Sequence, residues 1–212
     1  MYAMKVISKK MLKKKNNISY MRSERAILTK IHHPFLVSLC FAFQSVTKLF
    51  LVMNFLPGGE LFLHLRKRGI ILEREVQFYL GEMIIAIDFL HGKGIIHRDL
   101  KPENVLLQKD AHVCITDFGL AKEIGDGKAT RTLCGTSEYM APEMLTRNGY
   151  GKAVDWWALG ALCYEMLVGK PPFSGKTQQE LDRKILSEKI STPPYLTAAA
   201  HSLLRGMLDK DM

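Results

Sequence analysis

The most constraining feature of the sequence is residues 95–107, which read Ile-Ile-His-Arg-Asp-Leu-Lys-Pro-Glu-Asn-Val-Leu-Leu. Apolar pairs stand at both ends, and five of the nine side chains in 97–105 can carry charge. Charged side chains are costly to bury unless each finds a partner. The segment therefore predicts two short strands that anchor a polar loop between them.

Three side chains of this loop, Asp99, Lys101 and Asn104, stand at fixed offsets. A carboxylate, an ammonium group and an amide on one rigid loop can accept a hydroxyl proton, steady a phosphate in transfer and bind magnesium. Residues 97–104 match every fixed position of a signature for such a loop, His-Arg-Asp-Leu followed, after three intervening residues, by Asn. The alternative is a polar surface turn that matches by accident.

Two tripeptides downstream favour the catalytic interpretation. Asp-Phe-Gly at 117–119 begins 18 residues after Asp99 and follows a predicted strand. A carboxylate at a strand end can bind magnesium against phosphate oxygens, and the nearby glycine permits an unusual backbone angle. Ala-Pro-Glu at 141–143 closes the segment that Asp-Phe-Gly opens. By itself the first tripeptide is a weak signal, and the second is an ordinary helix start with proline in the first turn.

Three more charged residues stand where they could support such a site. Lys5 lies in a predicted strand, and its ammonium group needs an anion; Glu24 lies 19 residues later in the next predicted helix. The alternative is that both are unrelated surface residues. Asp155 opens an otherwise apolar helix, where it could cap the helix or bind the backbone of the catalytic loop. Both interpretations of Asp155 stay open.

Hydrophobic periodicity and chain breaks predict an α+β fold with two lobes. In the first lobe, residues 1–53, we expect a small sheet packed against one helix whose apolar side includes Met21, Ile27, Leu28 and Ile31. The Pro-Gly-Gly break at 54–59 is the predicted hinge, and residues 60–212 form a mainly helical second lobe. Residues 122–136, rich in Gly, Thr and charge, are predicted to be mobile. The predicted strands are 2–7, 35–43, 48–53 and 113–116, and the predicted helices are 19–31, 60–68, 73–91, 155–168, 178–187 and 198–209.

Composition argues against several other classes of function. Much of the net charge of +9 comes from five lysines without interleaved aromatic residues, which favours a solvated helix start over a nucleic-acid or membrane surface (Lys9, Lys10, Lys13, Lys14 and Lys15). The most apolar run, 154–168, contains Asp155 and Glu165 and is too short for a membrane span. The chain begins with a strand pattern and not with a signal peptide. Four widely spaced cysteines predict free thiols in a reducing compartment, the cytoplasm or also the nucleus.

Taken together, these motifs resemble the eukaryotic Ser/Thr protein kinases, over essentially the whole chain. Segments 57–62, 132–143 and 153–160 are similar to the AGC group of those kinases. Within that group, segments 169–173 and 193–197 most resemble the ribosomal protein S-six kinases, and the Akt kinases are nearly as similar. The resemblance implies a two-lobed protein-kinase-like fold with strand 3, helix C and strands 4 and 5 of that family in the first lobe.

The resemblance also implies a role for each catalytic residue. Asp99 would be the catalytic base, and Lys101 would contact the γ-phosphate of ATP. Asn104 and Asp117 would bind Mg²⁺. Lys5 would bind the α- and β-phosphates and would be fixed by Glu24.

The same resemblance implies a nucleotide pocket and a hydrophobic spine between the lobes. Met53 would be the gatekeeper, and the backbone of Asn54 and Leu56 would meet adenine. The remaining implied nucleotide contacts are Ala3, Leu106, Thr116, Glu60 and Glu103, of which Ala3 and Leu106 would sandwich the purine. The implied spine comprises Leu28, Leu39, His97 and Phe118.

Regulation and substrate choice follow from the resemblance as well. Thr132 matches the site that an upstream kinase phosphorylates, and a phosphate there could pair with Arg98 and Lys122. Tyr20 stands where relatives carry a basic residue, which predicts weaker coupling between that phosphate and the first lobe. The acidic positions Glu60, Glu103 and Glu165 predict protein substrates with Arg or Lys before the acceptor Ser or Thr.

One part of the family pattern does not occur in this sequence. No Gly-x-Gly-x-x-Gly precedes Lys5, and only four residues stand before it. Each lost hydrogen bond to a charged phosphate would cost roughly 1.5–3 kcal/mol, so we expect weak or absent activity for the chain as written. We also expect an uncovered edge and apolar face on the first sheet. The alternative to an active kinase, or a fragment of one, is a pseudokinase that acts as a binding module or scaffold.

Overall fold

The computed structural model describes residues 1–14, 18–125 and 128–210. In the first lobe, strands β1 (Tyr2–Ser8), β2 (Leu39–Gln44) and β3 (Lys48–Asn54) form an antiparallel sheet in the order β1-β3-β2. Helices α1 (Lys9–Lys14) and α2 (Ile18–Lys30) connect β1 to β2. The small sheet and its helix confirm the fold predicted for this part of the sequence. Lys15, part of the predicted basic patch, lies outside the described residues.

Helix α2 forms where apolar residues recur at helical spacing. The predicted apolar side, including Met21, Ile27 and Leu28, is buried, and Ile31 packs into the same core just beyond the helix end. Glu24 lies among these residues and is only 4% exposed. A carboxylate at this depth needs a partner of opposite charge, and that partner comes from β1.

The prediction of a strand over 35–43 is wrong at its start, because β2 begins at Leu39. The residues that follow Pro34 bind the second lobe instead of the small sheet. The Val37 N–H donates to the carbonyl of Ile115 at 3.0 Å, and the Ile115 N–H donates to the carbonyl of Phe35 at 2.9 Å. This segment therefore joins the two lobes by backbone hydrogen bonds.

The outer face of the small sheet is apolar and exposed, as the sequence led us to expect. β1 pairs with β3 along one edge, and no described strand pairs with its other edge. More than half of the Tyr2, Met4 and Phe41 surface is accessible to solvent, and Val6 and Phe43 lie on the same face. An open edge beside such a face favours association with other chains.

The second lobe is mainly helical and carries two small sheets. Its helices are α3 (Leu61–Arg68), α4 (Glu73–Gly92), α5 (Pro142–Thr146), α6 (Ala153–Val168), α7 (Gln178–Ser187) and α8 (Ala198–Met207). Its strands are β4 (Gly59–Glu60), β5 (Ile95–Ile96), β6 (Val105–Leu107), β7 (Val113–Ile115) and β8 (Lys122–Glu123), which pair as β4-β6-β7 and β5-β8. Among the described residues, no helix is both long and apolar enough to cross a membrane.

Several predicted boundaries shift by a few residues. Glu60, predicted to begin a helix, lies in β4 because its backbone pairs with Leu106 of β6, and α3 begins at Leu61. Helix α6 begins two residues before Asp155, and α8 ends at Met207. Two residues of the predicted hinge likewise belong to strands, since β3 includes Asn54 and β4 includes Gly59.

The predicted loop and its anchors lie at the centre of this lobe. Strand β5 precedes the loop and is buried, and β6 follows it with Val105 and Leu107 buried and Leu106 half-buried, so short strands anchor the loop as predicted. The segment predicted to be mobile, 122–136, contains β8 and a two-residue bridge between Thr130 and Tyr150. Residues 126–127 of that segment lie outside the described residues.

Candidate active site

The backbone of the catalytic loop is fixed by Asp155, which has no exposed surface. Its Oδ2 accepts hydrogen bonds from the His97 N–H and from Nε2 of His91, and its Oδ1 accepts one from the Arg98 N–H, all at 2.8 Å. The helix cap position is occupied by Lys152, and no side chain caps the helix there. Of the two interpretations of Asp155, binding to the loop backbone is the one that the structure contains.

The side chain of Asp99 lies in a network with two neighbours, Lys101 and Thr136. Lys101 Nζ lies 3.1 Å from Asp99 Oδ2, and it also donates to Thr136 Oγ1 at 2.8 Å. The Thr136 hydroxyl in turn donates to Asp99 Oδ1 at 2.8 Å. Thr136 lies in the segment before α5 and so brings that segment to the proposed base. Because each of these three side chains contacts the other two, the Asp99 carboxylate and the Lys101 ammonium group are fixed relative to each other.

Asn104 and Asp117 have the ligand chemistry that Mg²⁺ prefers. Asn104 Nδ2 donates to the backbone carbonyl of Asp99 at 2.8 Å and to its Oδ2 at 3.1 Å, and these bonds leave the amide oxygen of Asn104 available. Half of the Asp117 side chain is exposed, and its Oδ1 accepts a hydrogen bond from the Gly119 N–H. Amide and carboxylate oxygens suit Mg²⁺, which takes its other ligands from phosphate and water. Within the described residues, no cluster of three or more His, Cys, Asp or Glu could bind a metal.

Lys5 connects the first lobe to this cluster. Its Nζ lies 2.7 Å from Glu24 Oε1 and 3.1 Å from Asp117 Oδ1, so α2 and the Asp-Phe-Gly segment meet at β1. Burial opposes the charge on Lys5, but Glu24 and Asp117 outweigh it and raise the lysine pKa. Burial would also raise the pKa of Asp117, yet Lys5 and the Gly119 N–H lower it below its usual value. Both groups are therefore charged at neutral pH.

The predicted adenine contacts lie on two paired strands of the first lobe, on β6 of the second lobe and in the connection between the lobes. Ala3 on β1 is directly opposite Met53 on β3, and Asn54 ends that strand. Leu106 is the central residue of β6, and Leu56 is half-buried in the connection between the lobes. Their roles toward a nucleotide stay predictions.

Hydrogen bonds from Thr116 and His97 hold the segments that carry Asn104 and Asp117 together. The Thr116 N–H and hydroxyl both donate to the backbone carbonyl of Asn104, at 2.8 and 3.1 Å, so its side chain positions Asn104. His97 Nε2 donates to the carbonyl of Thr116 at 3.0 Å, while its Nδ1 accepts from the Asp99 N–H at 3.3 Å. The His97 ring also meets Phe118 edge to face, with ring centres 5.1 Å apart. Of the other predicted spine residues, Leu28 is buried and Leu39 is half-buried.

Acidic side chains form a second cluster beside the loop. Glu165 of α6 accepts a hydrogen bond from the hydroxyl of Tyr139. Burial raises the pKa of Glu165, and the nearby charges of Glu103 and Glu138 raise it further. Glu138 was not among the predicted substrate residues. Glu60 lies in β4, which pairs with the strand that follows the loop.

The predicted phosphorylation site, Thr132, is exposed. Its two predicted partners bind other groups in this structure: Arg98 Nε donates to the Leu120 carbonyl at 2.7 Å, and Lys122 Nζ donates to Thr130 Oγ1 at 2.9 Å. The backbone carbonyl of Thr132 accepts a hydrogen bond from the hydroxyl of Tyr150. Sequence reasoning did not single out Tyr150 or Thr136. The one sequence signal for Thr136 was its place in segment 132–143, which resembles the AGC kinases.

A groove of about 460 Å³ lies elsewhere, on the first lobe. Residues of α1, α2, β2 and β3 line it, with an apolar floor that includes Met21 and Leu51 and a basic rim that includes Lys9, Arg22 and Arg25. It shares no lining residue with the Asp99 cluster, so we do not assign the chemistry to it.

Comparison with known proteins agrees with this geometry. A family model described as the protein kinase domain matches residues 1–212. The serine/threonine-protein kinase AtPK2/AtPK19 of Arabidopsis thaliana is 49% identical over 210 residues, which cover 99% of this chain and 44% of the relative. The RAC family serine/threonine-protein kinase homolog of Dictyostelium discoideum is 50% identical over 212 residues, which cover 99% of this chain and 48% of the relative. The chain thus spans slightly less than half the length of these curated relatives.

Proposed function

Because the chain belongs to the protein kinase domain family, we propose that it transfers the γ-phosphate of ATP to Ser or Thr hydroxyls of protein substrates. The similar relatives carry Ser/Thr kinase names, which supports the choice of acceptor. The observation that carries the proposal is the meeting of Asp99, Lys101 and Thr136 in one hydrogen-bonded group, in which Asp99 also accepts a hydrogen bond from the side-chain amide of Asn104. A scaffold that only binds has no chemical need for this group.

Each charged residue has a distinct task in the proposed reaction. Asp99 accepts the proton of the substrate hydroxyl, and its hydrogen bond from Thr136 orients the carboxylate. Lys101 steadies the negative oxygens of the phosphate in transfer. Lys5 binds the phosphates that stay with the nucleotide and keeps its place through Glu24.

We propose that Asn104 and Asp117 bind the Mg²⁺ that accompanies ATP. The amide oxygen of Asn104 and the carboxylate of Asp117 are the hard oxygen donors that this ion requires. Magnesium, when bound, neutralises charge on the phosphate oxygens. The charge on Asp117 is secured by Lys5, which lowers the pKa of this carboxyl group.

We further propose an AGC-type signalling kinase, most similar to the ribosomal protein S-six kinases or to Akt, that prefers basic residues before the acceptor. The acidic cluster beside the loop supports this preference, since Glu103 and Glu165 lie close enough for each charge to affect the other. An arginine or lysine there would relieve repulsion between the carboxylates, and this local effect outweighs the screened charge of the distant protein surface. Glu60 is the third acidic position that we include.

Activation by an upstream kinase at Thr132 is part of the proposal. The threonine is exposed, and a phosphate on it would add roughly −1.5 to −2 charge near the buried Arg98 and Lys122 of β8. All four cysteines are free thiols, which supports a reducing compartment. We therefore propose residence in the cytoplasm, with the nucleus as a second location.

Peptide phosphorylation tests this proposal. Two serine peptides would be compared that differ only in arginine or alanine at the three positions before the acceptor. We expect the arginine peptide to have at least a tenfold higher kcat/KM, and the double substitution Glu103→Gln and Glu165→Gln to reduce that ratio by about 10-fold. Glu188→Gln, an exposed glutamate that pairs with Arg183, is the control. Equal transfer to both peptides would refute the substrate preference, and transfer to neither would refute the proposal that this chain is active on its own.

A further inference from the structure

The segment that carries Thr132 meets a buried tyrosine outside the predicted site. Tyr150 lies between α5 and α6 and is 3% exposed. Its backbone forms a two-residue bridge with Thr130, in which each N–H donates to the other carbonyl at 2.9 Å. Gly149 has a positive φ of 104°, and a Cβ there would lie 3.2 Å from Ala129, so a glycine lets the two segments approach.

The hydroxyl of Tyr150 joins two elements of the site. It donates to the backbone carbonyl of Thr132, and it accepts a hydrogen bond from Arg98 Nη1 at 3.3 Å. A hydroxyl has one proton to donate and two lone pairs to accept with, so both bonds can exist together. Burial raises the pKa of Tyr150 to about 12, which keeps the hydroxyl protonated and able to donate at neutral pH.

Arg98 links this contact to the chemistry. It directly precedes the proposed base Asp99, and its N–H is fixed by the buried carboxylate of Asp155. Its backbone φ is +68°, an uncommon value for a residue other than glycine, so the surrounding contacts must maintain it. Because the Tyr150 hydroxyl contacts both the Arg98 side chain and the Thr132 carbonyl, it links the segment that carries Thr132 to the loop that carries Asp99.

The geometry points to Tyr150 as a positioning residue that orders the segment around Thr132 before any phosphate is added. The inference rests on the proposed function, and it deepens the proposed regulation. The tyrosine binds the Thr132 backbone, while the Thr132 side chain stays exposed and open to an upstream kinase. A later phosphate would add its own contacts to Arg98 and so reduce the dependence on the tyrosine.

The variant Tyr150→Phe tests the inference, because it removes the hydroxyl and keeps the buried ring. In the unphosphorylated full chain, we expect amide hydrogen exchange in residues 128–136 to accelerate by about 10-fold, the upper end of the effect of losing a hydrogen bond between neutral groups. Peptide kcat/KM should fall by a similar factor. The matched control is Tyr164→Phe, an equally buried tyrosine whose hydroxyl donates to the Ser191 carbonyl in the second lobe. That control should leave exchange in 128–136 unchanged.

Tyr150→Phe and Tyr164→Phe should also be produced with phosphothreonine incorporated at position 132 during translation. This second comparison separates a positioning role of Tyr150 from a general structural role. We expect the activity loss of Tyr150→Phe to shrink to about 2-fold, because a phosphate supplies new charge-assisted bonds. Unchanged exchange in unphosphorylated Tyr150→Phe, or a loss of activity that is the same with and without the phosphate, would overturn the inference. If the wild-type chain transfers no phosphate while exchange responds as expected, the positioning role stands and the proposed function fails.

Discussion

Replacing Asp155 by asparagine removes one charge from the buried contact that fixes the catalytic loop. An amide at this position offers one oxygen where the carboxylate offers two, so its NH₂ group must face the N–H of either His97 or Arg98. At least one buried donor loses its acceptor, at about 1–3 kcal/mol, and the remaining bonds lose their charge assistance. We therefore expect the free energy of unfolding to fall by about 3 kcal/mol, a large share of the roughly 5–15 kcal/mol that stabilises a folded domain.

For a chain of this length, about 3 kcal/mol corresponds to a fall in Tm of about 6–12 °C. Displacement of the loop by about 1 Å should also lower kcat by about 100-fold below the melting temperature. Calorimetry and peptide phosphorylation of Asp155→Asn would measure the two effects, with Asp88→Asn, an exposed aspartate on α4, as control. A change in Tm below about 1 °C together with unchanged kcat would refute the assignment of Asp155 to the loop backbone, given the roughly 1–3 kcal/mol cost of an unsatisfied buried donor.

Three further predictions concern other parts of the molecule. Thr136→Ala should lower kcat by about 10-fold with little change in the KM for ATP, and Thr136→Ser should restore kcat, because the hydroxyl joins Asp99, the proposed base, to Lys101. Equal kcat for the alanine and serine variants would contradict this prediction. A hydrogen bond to Glu82 raises the pKa of His112. The stabilisation from this pair should therefore be complete below the unfolded pKa of about 6.5 and vanish as the pH rises through the higher folded pKa. Denaturant titrations of Glu82→Gln should lose this pH dependence of stability, and its persistence in that variant would exclude the pair as the cause. Replacing Phe41 and Phe43 by lysine should reduce self-association in sedimentation experiments, since both lie on the exposed face of the small sheet.

The local parts of the fold were predictable from sequence. Helix α7 has the predicted bounds because Thr177 caps it and its apolar residues recur at helical spacing. The loop between β5 and β6 was predictable because the apolar pairs that anchor it stand within a few residues of its polar side chains. Lys5 and Glu24 required one further assumption, that a strand and the next helix pack together, and the structure contains their ion pair.

Contacts between distant residues could not be predicted in this way. Thr136 bonds a carboxylate 37 positions earlier in the chain, and the partners of Asp155 lie 57 or more positions before it. The strand error after Pro34 has the same origin, because Val37 pairs with Ile115 and no local pattern encodes that partner. Hydrophobic periodicity specifies which face of an element is buried, and it does not specify what covers that face.

The most direct test of the proposed chemistry is transfer of the radiolabelled γ-phosphate of ATP to an arginine-containing serine peptide by the full chain and by Asp99→Asn. The asparagine keeps the size of the side chain but cannot act as the base, so we expect the variant to lose about 10²- to 10⁴-fold in kcat while its melting temperature stays close to that of the wild type. Equal rates for the two proteins would contradict the assignment of Asp99 as the base. Absence of Mg²⁺-dependent transfer by the wild type would contradict the proposal that this chain transfers phosphate on its own.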